Sequence, residues 1–278
     1  MYRRKDRFKN IADKMKVTLI QTSLHWEDSQ KNLEHFDALV NSIKEPTDLI
    51  VLPEMFTTGF TMKPEKMAEP LNGPALQWMA KKAIEKKVVL CGSVAVNDNG
   101  KYFNRLLWVA PDGKVCTYNK RHLFRMGKED NHYTMGSEKL IKSLKEWKIC
   151  PLVCYDLRFP VWSRNTFTIT NGLPVAAYDV LIYVANWPEV RSYPWKQLLI
   201  ARAIENQCYV IGVNRIGKDG NDISHSGDSM VINPKGEIIS KTQPNVQSVE
   251  TVALDRTFLE DFRITFPVGL DADGFTLL

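Results

Sequence analysis

The feature that most restricts the fold is the order in which strand and helix patterns follow one another. Lys16–Gln21 (KVTLIQ) is a short apolar strand, and Asp28–Glu45 then places Leu33, Phe36, Leu39, Val40 and Ile43 on one helical face. Asp48–Pro53 (DLIVLP) is a second strand, Pro74–Lys87 turns Leu76, Met79, Ala80, Ala83 and Ile84 inward, and Val88–Val96 is a third, β-branched strand. That is a β-α-β-α-β series. Turn residues at Asn97–Gly100 (NDNG) and Pro111–Gly113 (PDG) then separate Tyr102–Ala110 from Lys114–Asn119, the pattern of an antiparallel meander. A second β-α-β series has strands at Trp147–Val153, Asp179–Ala185 and Cys208–Val213 and a helix at Tyr193–Asn206. A hairpin turning at Asn233–Gly236 (NPKG), the strand Val249–Leu254 and a short helix at Arg256–Phe262 complete the chain. Two such halves joined by hairpins are hard to close as one open sheet. They fit an α/β fold of two sheets packed face to face with helices outside, a four-layer α-β-β-α sandwich.

No repeat, low-complexity tract or long linker divides the chain, so residues 15–278 read as one domain. Of 37 Lys and Arg and 32 Asp and Glu, seven and two fall in residues 1–16, which leaves thirty of each over 17–278. The body is neutral and lacks the basic face that displaces counterions from nucleic-acid phosphates. The basic opening is followed by no apolar stretch of signal-peptide length, and Met15 stands directly before the first strand; residues 1–14 are expected to be a disordered or extraneous extension. Apolar runs of about six residues, such as Val180–Ala185, are too short to span a bilayer. Five cysteines with no CxxC pair predict reduced thiols in a cytoplasmic compartment and no zinc site.

Three polar residues stand at the ends of these strands, where open α/β sheets place their ligand sites: Glu54 after DLIVLP, Lys120 after KVCTYN and Cys154 after WKICPLV. A carboxylate, an ammonium and a thiol that converge make a nucleophilic site. The cation lowers the thiol pKa toward thiolate, and the carboxylate takes a proton and returns it to a leaving amine. Each residue also has a plainer assignment, the cysteine as core packing, the glutamate as a cap and the lysine as a solvated turn. Against the plainer assignment, Cys154 is followed by Tyr-Asp-Leu-Arg-Phe-Pro, polar groups that are costly beside a buried strand without a site to serve.

The chain resembles the nitrilase, or carbon–nitrogen hydrolase, superfamily. The resemblance rests on Leu52-Pro53-Glu54-Met55-Phe56, on Tyr118-Asn119-Lys120-Arg121-His122-Leu123-Phe124 and on Val153-Cys154-Tyr155-Asp156-Leu157-Arg158-Phe159-Pro160. It continues through Asn186-Trp187-Pro188, Ala201–Asn206 and Gly227–Gly236, in the family's order over nearly the whole chain. It implies the sandwich and a Glu-Lys-Cys triad of Glu54, Lys120 and Cys154, with no metal and no cofactor. It also implies that the backbone N–H of Tyr155 is the second oxyanion donor. A second glutamate that steadies the lysine falls nearest to Glu129, with Asp130 and His132 as competitors and a solvated loop position as the other assignment.

The segments YNKRHLFRM, VCYDLRFPVWSRN, NWPEVRSYPW and LLIARAIENQCYVIGVNR look most like the omega-amidase branch, which removes the terminal amide from small keto-acid amides such as 2-oxoglutaramate or 2-oxosuccinamate. The far carboxylate of such a substrate calls for a guanidinium, and Arg158 and Arg191 are the candidates. The competing assignments are a salt bridge from Arg158 to Asp156 or Glu205 and a surface position for Arg191. Trp187 and Tyr155 are expected either to shape the pocket or to pack in the core. The partners implied are a small amide and further copies of the chain, a homodimer or higher homo-oligomer, with the tail 262–278 either packed on its own fold or reaching across a partner. One rival enzyme class, metal-dependent phosphoesterases of similar layering, would use Glu54, Asp156, Asn186 and His225 as hard ligands and leaves Lys120 and Cys154 unexplained. Other branches of the superfamily, acting on nitriles or carbamoyl amides, are the nearer alternative.

Overall fold

The computed structural model describes residues 14–276. Seven strands form a first sheet: β1 (Lys14–Gln21), β2 (Leu49–Val51), β3 (Glu69–Pro70), β4 (Val89–Asp98), β5 (Lys101–Val109), β6 (Val115–Asn119) and β16 (Ser248–Asp255). Its order is β16-β1-β2-β4-β5-β6, with β3 beside β4. Five strands form the second: β7 (Lys142–Leu144), β8 (Trp147–Val153), β11 (Val180–Ala185), β12 (Tyr209–Asn214) and β15 (Met230–Ile232), in the order β15-β12-β11-β8-β7. Each sheet has three parallel strands at its heart, β1-β2-β4 and β8-β11-β12, flanked by antiparallel ones. Two small hairpins, β9–β10 (Phe167–Thr170 and Leu173–Ala176) and β13–β14 (Ile216–Lys218 and Ser224–Ser226), stand off the sheets.

Alternation along the strands explains the layering. In β2, Leu49 and Val51 join the cluster between the sheets while Ile50 turns to the helices; in β5, Leu106 and Trp108 face inward and Leu107 and Val109 outward. Both faces are apolar, which is why these strands read as unbroken hydrophobic runs. On the outer face of the first sheet lie α1 (Ser29–Ser42) and α3 (Pro74–Lys86), through Phe36, Leu39, Val40, Met79 and Ala83. Helix α1 starts where the Asp28 carboxylate accepts the Lys31 N–H, and α3 starts on Pro74. Between them runs α2 (Pro64–Met67), and α4 (Pro160–Ser163) follows the β8 turn. Helix α5 (Ser192–Asn206) covers the second sheet so closely that a side chain at Gly212 would meet Leu199 at 2.5 Å and Trp195 at 2.9 Å; only glycine lets β12 and α5 touch.

The expected α-β-β-α sandwich is the fold, and the strand and helix series falls where the periodicity put it. The first strand begins earlier than its apolar run, at Lys14, which pairs with Asp255; residues 1–13 of the expected extension lie outside the described residues. After α6 (Arg256–Thr265) the tail packs on its own fold as far as it makes contacts. The Gln207 amide donates to the Phe266 carbonyl at 2.6 Å, and Gly269 sits against Phe167. Among the described residues, no helix is long and apolar enough to cross a membrane.

Candidate active site

The ends of strands from both sheets meet at one point. The first sheet contributes Glu54, just past β2, Lys120, just past β6, and Asn104 within β5; the second contributes Cys154 past β8 and Asn186 past β11. Two of these strand ends turn abruptly, with left-handed backbone at Met55 (φ 41°) and Cys154 (φ 43°). At a residue other than glycine such a conformation persists only where the surroundings enforce it. Here it turns Cys154 out of β8 into the tight turn Cys154–Arg158.

Lys120 is fully buried between two buried carboxylates. Its ammonium donates to Glu54 Oε1 at 2.8 Å and to Glu129 Oε2 and Oε1 at 2.9 and 3.1 Å. The Asn104 amide bridges both, donating to Glu54 Oε1 at 2.7 Å and to Glu129 Oε1 at 3.1 Å, and Glu129 Oε2 also accepts the Phe124 N–H at 2.6 Å. Glu54 Oε2 accepts the backbone N–H of Asn186 at 2.8 Å, which ties the base of one sheet to a strand end of the other. Glu129 is therefore the second glutamate on the lysine, and the solvated position is excluded. Asp130 instead lies toward Arg125 at the surface.

The electrostatics correct one expectation. Burial pushes the Cys154 thiol well above its ordinary value, the charge of Glu54 raises it further, and Lys120 offsets only part of this. The reason is the charge count: one ammonium stands among two carboxylates, so the cluster is net negative and resists a third anion. The resting sulfur is a thiol, not the thiolate that its cationic neighbour suggested. Burial opposes the charge on Lys120, but Glu129 and Glu54 outweigh it and hold the ammonium protonated. Burial raises the Glu129 carboxyl, and Glu54 adds to the rise against the pull of Lys120.

Cys154 and Lys120 open onto a cavity of about 150 Å³, well below the roughly 300–1,000 Å³ of sites for drug-sized ligands. Phe60, Phe124, Tyr155 and Trp187 give it apolar walls. Arg158 and Arg191 both line it, each guanidinium held over a ring, Arg158 on Trp187 at 5.0 Å and Arg191 on Phe124 at 5.4 Å. Neither arginine makes a salt bridge among the described residues. The partners proposed for Arg158 are occupied elsewhere, since Glu205 pairs with Arg202 and Asp156 with Tyr118 and His122. The Trp187 indole N–H donates to the Arg191 carbonyl at 2.7 Å, and its backbone is held from both sides by the Asn214 amide. Tyr155 is thus a pocket wall, whereas Trp187 does both: it lines the pocket and packs in the core against Trp195, with ring centroids 5.4 Å apart.

Residues 16–264 match the carbon-nitrogen hydrolase family. The chain belongs to that family. Over 264 residues this carbon-nitrogen hydrolase is 47% identical to Omega-amidase YafV of Escherichia coli K12, covering 95% of this chain and 98% of that protein. It is 32% identical over 231 residues to 2-oxoglutaramate amidase of Bacillus subtilis, covering 82% of this chain and 86% of that one. A CN-hydrolase superfamily protein of Xanthomonas campestris, solved with an arsenic adduct in its active site, superposes with a TM-score of 0.91 at 41% identity over 95% of this chain and 99% of that one.

The hydrolase does not gather the four ligands drafted for a phosphoesterase. Glu54 is spent on Lys120, Asn104 and Asn186, Asp156 accepts four donors, and His225 is turned to the Ile223 carbonyl. No cluster of three or more His, Cys, Asp or Glu suited to a metal occurs among the described residues. Two contributors escaped the sequence reading. Asn104 is signalled only as a lone amide inside the apolar run YFNRLLWV. The hairpin β13–β14 lines the pocket through Asp219, Asn221, Ile223 and His225, of which the sequence singled out His225 alone, and that as a metal ligand.

Proposed function

We propose that the protein is an omega-amidase, hydrolysing the terminal amide of a small keto-acid amide of the 2-oxoglutaramate or 2-oxosuccinamate type to acid and ammonia. The observation that carries this is the meeting of a buried Glu-Lys-Glu cluster and a thiol with a small cavity whose two guanidiniums are oriented by rings and, among the described residues, have no carboxylate partner. The nucleophile and base account for amide cleavage, and the guanidiniums for the far carboxylate.

Cys154 Sγ attacks the amide carbonyl as its proton passes to Glu54, the carboxylate whose charge already acts on the thiol. The oxyanion is received by Lys120 and the backbone N–H of Tyr155. Lys120 can serve because Glu54 and a bifurcated contact to Glu129 account for two of its three protons. Glu54 then gives its proton to the departing nitrogen, ammonia leaves, and a thioester remains. Water deprotonated by Glu54 attacks the thioester, and the sulfur regains its proton as the carboxylate product forms. The cytoplasm is the compartment we infer, supported by five cysteines that are all free thiols.

Ammonia release across 2-oxoglutaramate, 2-oxosuccinamate, glutamine, asparagine, a simple nitrile and a carbamoyl amino acid tests the reading. The keto-acid amides are expected to give the highest kcat/KM, and Cys154→Ala and Cys154→Ser none with any substrate. A nitrile or carbamoyl substrate turned over faster than both keto-acid amides would move the protein to another branch.

A further inference from the structure

We infer that Asp156 is a positioning residue for the reaction, a bolt that sets the Cys154 turn against the strand end carrying Lys120. The two reacting side chains come from different sheets, Lys120 from the end of β6 and Cys154 from the end of β8, and no backbone ladder joins those strands. Their separation must be fixed by side chains. The Asp156 carboxylate does this from two residues beyond the cysteine. It accepts the Val153 N–H at 3.1 Å and the Tyr118 hydroxyl at 2.7 Å on Oδ2, and the His122 backbone N–H at 2.9 Å and ring Nδ1 at 2.8 Å on Oδ1. Tyr118 and His122 stand two residues before and two residues after Lys120. One carboxylate therefore grips both flanks of the lysine and the last residue of the strand before the nucleophile.

The grip is oriented as well as close. The Tyr118 oxygen accepts the Trp162 indole N–H at 3.0 Å and the Arg121 N–H at 3.2 Å, so its own proton is left to point at Asp156. Burial and the charge of Asp156 push the phenol well above its ordinary value, which keeps that proton in place. On the other side the His122 ring lies flat on Phe159 at 3.8 Å and 10°, and Phe159 abuts Tyr155 in the pocket wall. Asp156 is fully buried, and four accepted bonds fill its capacity. It has no lone pair for a substrate, so it acts only through Cys154 and Lys120.

This inference rests on Cys154 as the nucleophile. Asp156→Asn keeps the shape but turns an amide N–H toward groups that are themselves donors. Displacements on the order of 1 Å at a reacting pair cost about 100-fold. The expected result is a kcat about 100-fold lower with KM changed by less than about threefold, because the guanidiniums of Arg158 and Arg191 are held on the Trp187 and Phe124 rings rather than by Asp156. Tyr118→Phe, which removes one donor and leaves the rest, is expected to lower kcat about 3- to 10-fold, again with KM nearly unchanged. The double variant should be little worse than Asp156→Asn alone, since the two act as one unit. Wild-type kcat in either single variant while folded by circular dichroism, or a loss carried by KM, overturns the inference. Should Asp156→Asn fail to fold, Tyr118→Phe decides alone. Turnover retained by Cys154→Ala would instead refute the nucleophile.

Discussion

Replacing Glu54 with Gln separates the two duties assigned to this carboxylate, because it drives two readouts in opposite directions. Glu54 is fully buried, and its charge acts on the Cys154 thiol. Like charges about 4 Å apart at an effective dielectric near 20 repel by about 4 kcal/mol, which disfavours the thiolate. If relaxation halves that figure, removing the charge still favours the thiolate by about 2 kcal/mol, more than tenfold in population at a pH where the thiol dominates. Iodoacetamide reacts with the thiolate, so Glu54→Gln should be alkylated at Cys154 at least about tenfold faster than the parent at pH 8. Turnover should move the other way, by roughly 10²- to 10⁴-fold, since the base is lost. The assay is paired: ammonia release from 2-oxoglutaramate, and mass-spectrometric alkylation time courses with Cys154→Ala as the blank. Slower alkylation in the variant, or turnover within tenfold of the parent, would refute the account of a thiol held protonated by its own general base.

Glu129→Gln leaves Lys120 with one carboxylate partner and sets an amide N–H against the Lys120 or Phe124 donors; a loss of roughly 3–5 kcal/mol is expected from urea denaturation. Arg158→Ala and Arg191→Ala should each raise KM for the keto-acid amides more than they lower kcat, as steady-state kinetics will report; an unchanged KM in both removes them from substrate recognition. His225 is held neutral in the fold, its pKa lowered to about 4 by burial and by Arg215. The unfolded chain takes up this proton near pH 6.5, so stability is intact above that value and declines between about pH 6.5 and pH 4, by up to about 3 kcal/mol. His225→Gln should flatten that part of the stability curve in urea titrations at pH 7, 5 and 4; a parallel curve would show that other groups carry it.

Much of the fold was legible because strand and helix periodicities are local. Leu49 and Val51 alternate with Ile50, and Phe36, Leu39 and Val40 share a helical face, whatever lies opposite. The strand-end placement of Glu54, Lys120 and Cys154 was legible because a polar residue directly after an apolar run stands at a strand end, and three such residues are few enough to name. The hairpin β13–β14 was not, since its turn residues look like those of any surface loop and only the packed fold swings it over the cavity. Asn104 was hidden for a similar reason, because its value lies in two carboxylates that come from 50 residues before and 25 residues after it.

What the sequence by itself determined is which groups are available and where each sits on its strand, since these follow from spacing along a single segment. The protonation of the thiol, the freedom of the two arginines and the role of Asp156 were decided only by the tertiary structure. Each depends on a sum over neighbours brought from distant segments into one dry place, where a second carboxylate, a ring or a hydroxyl reverses what any residue would do alone.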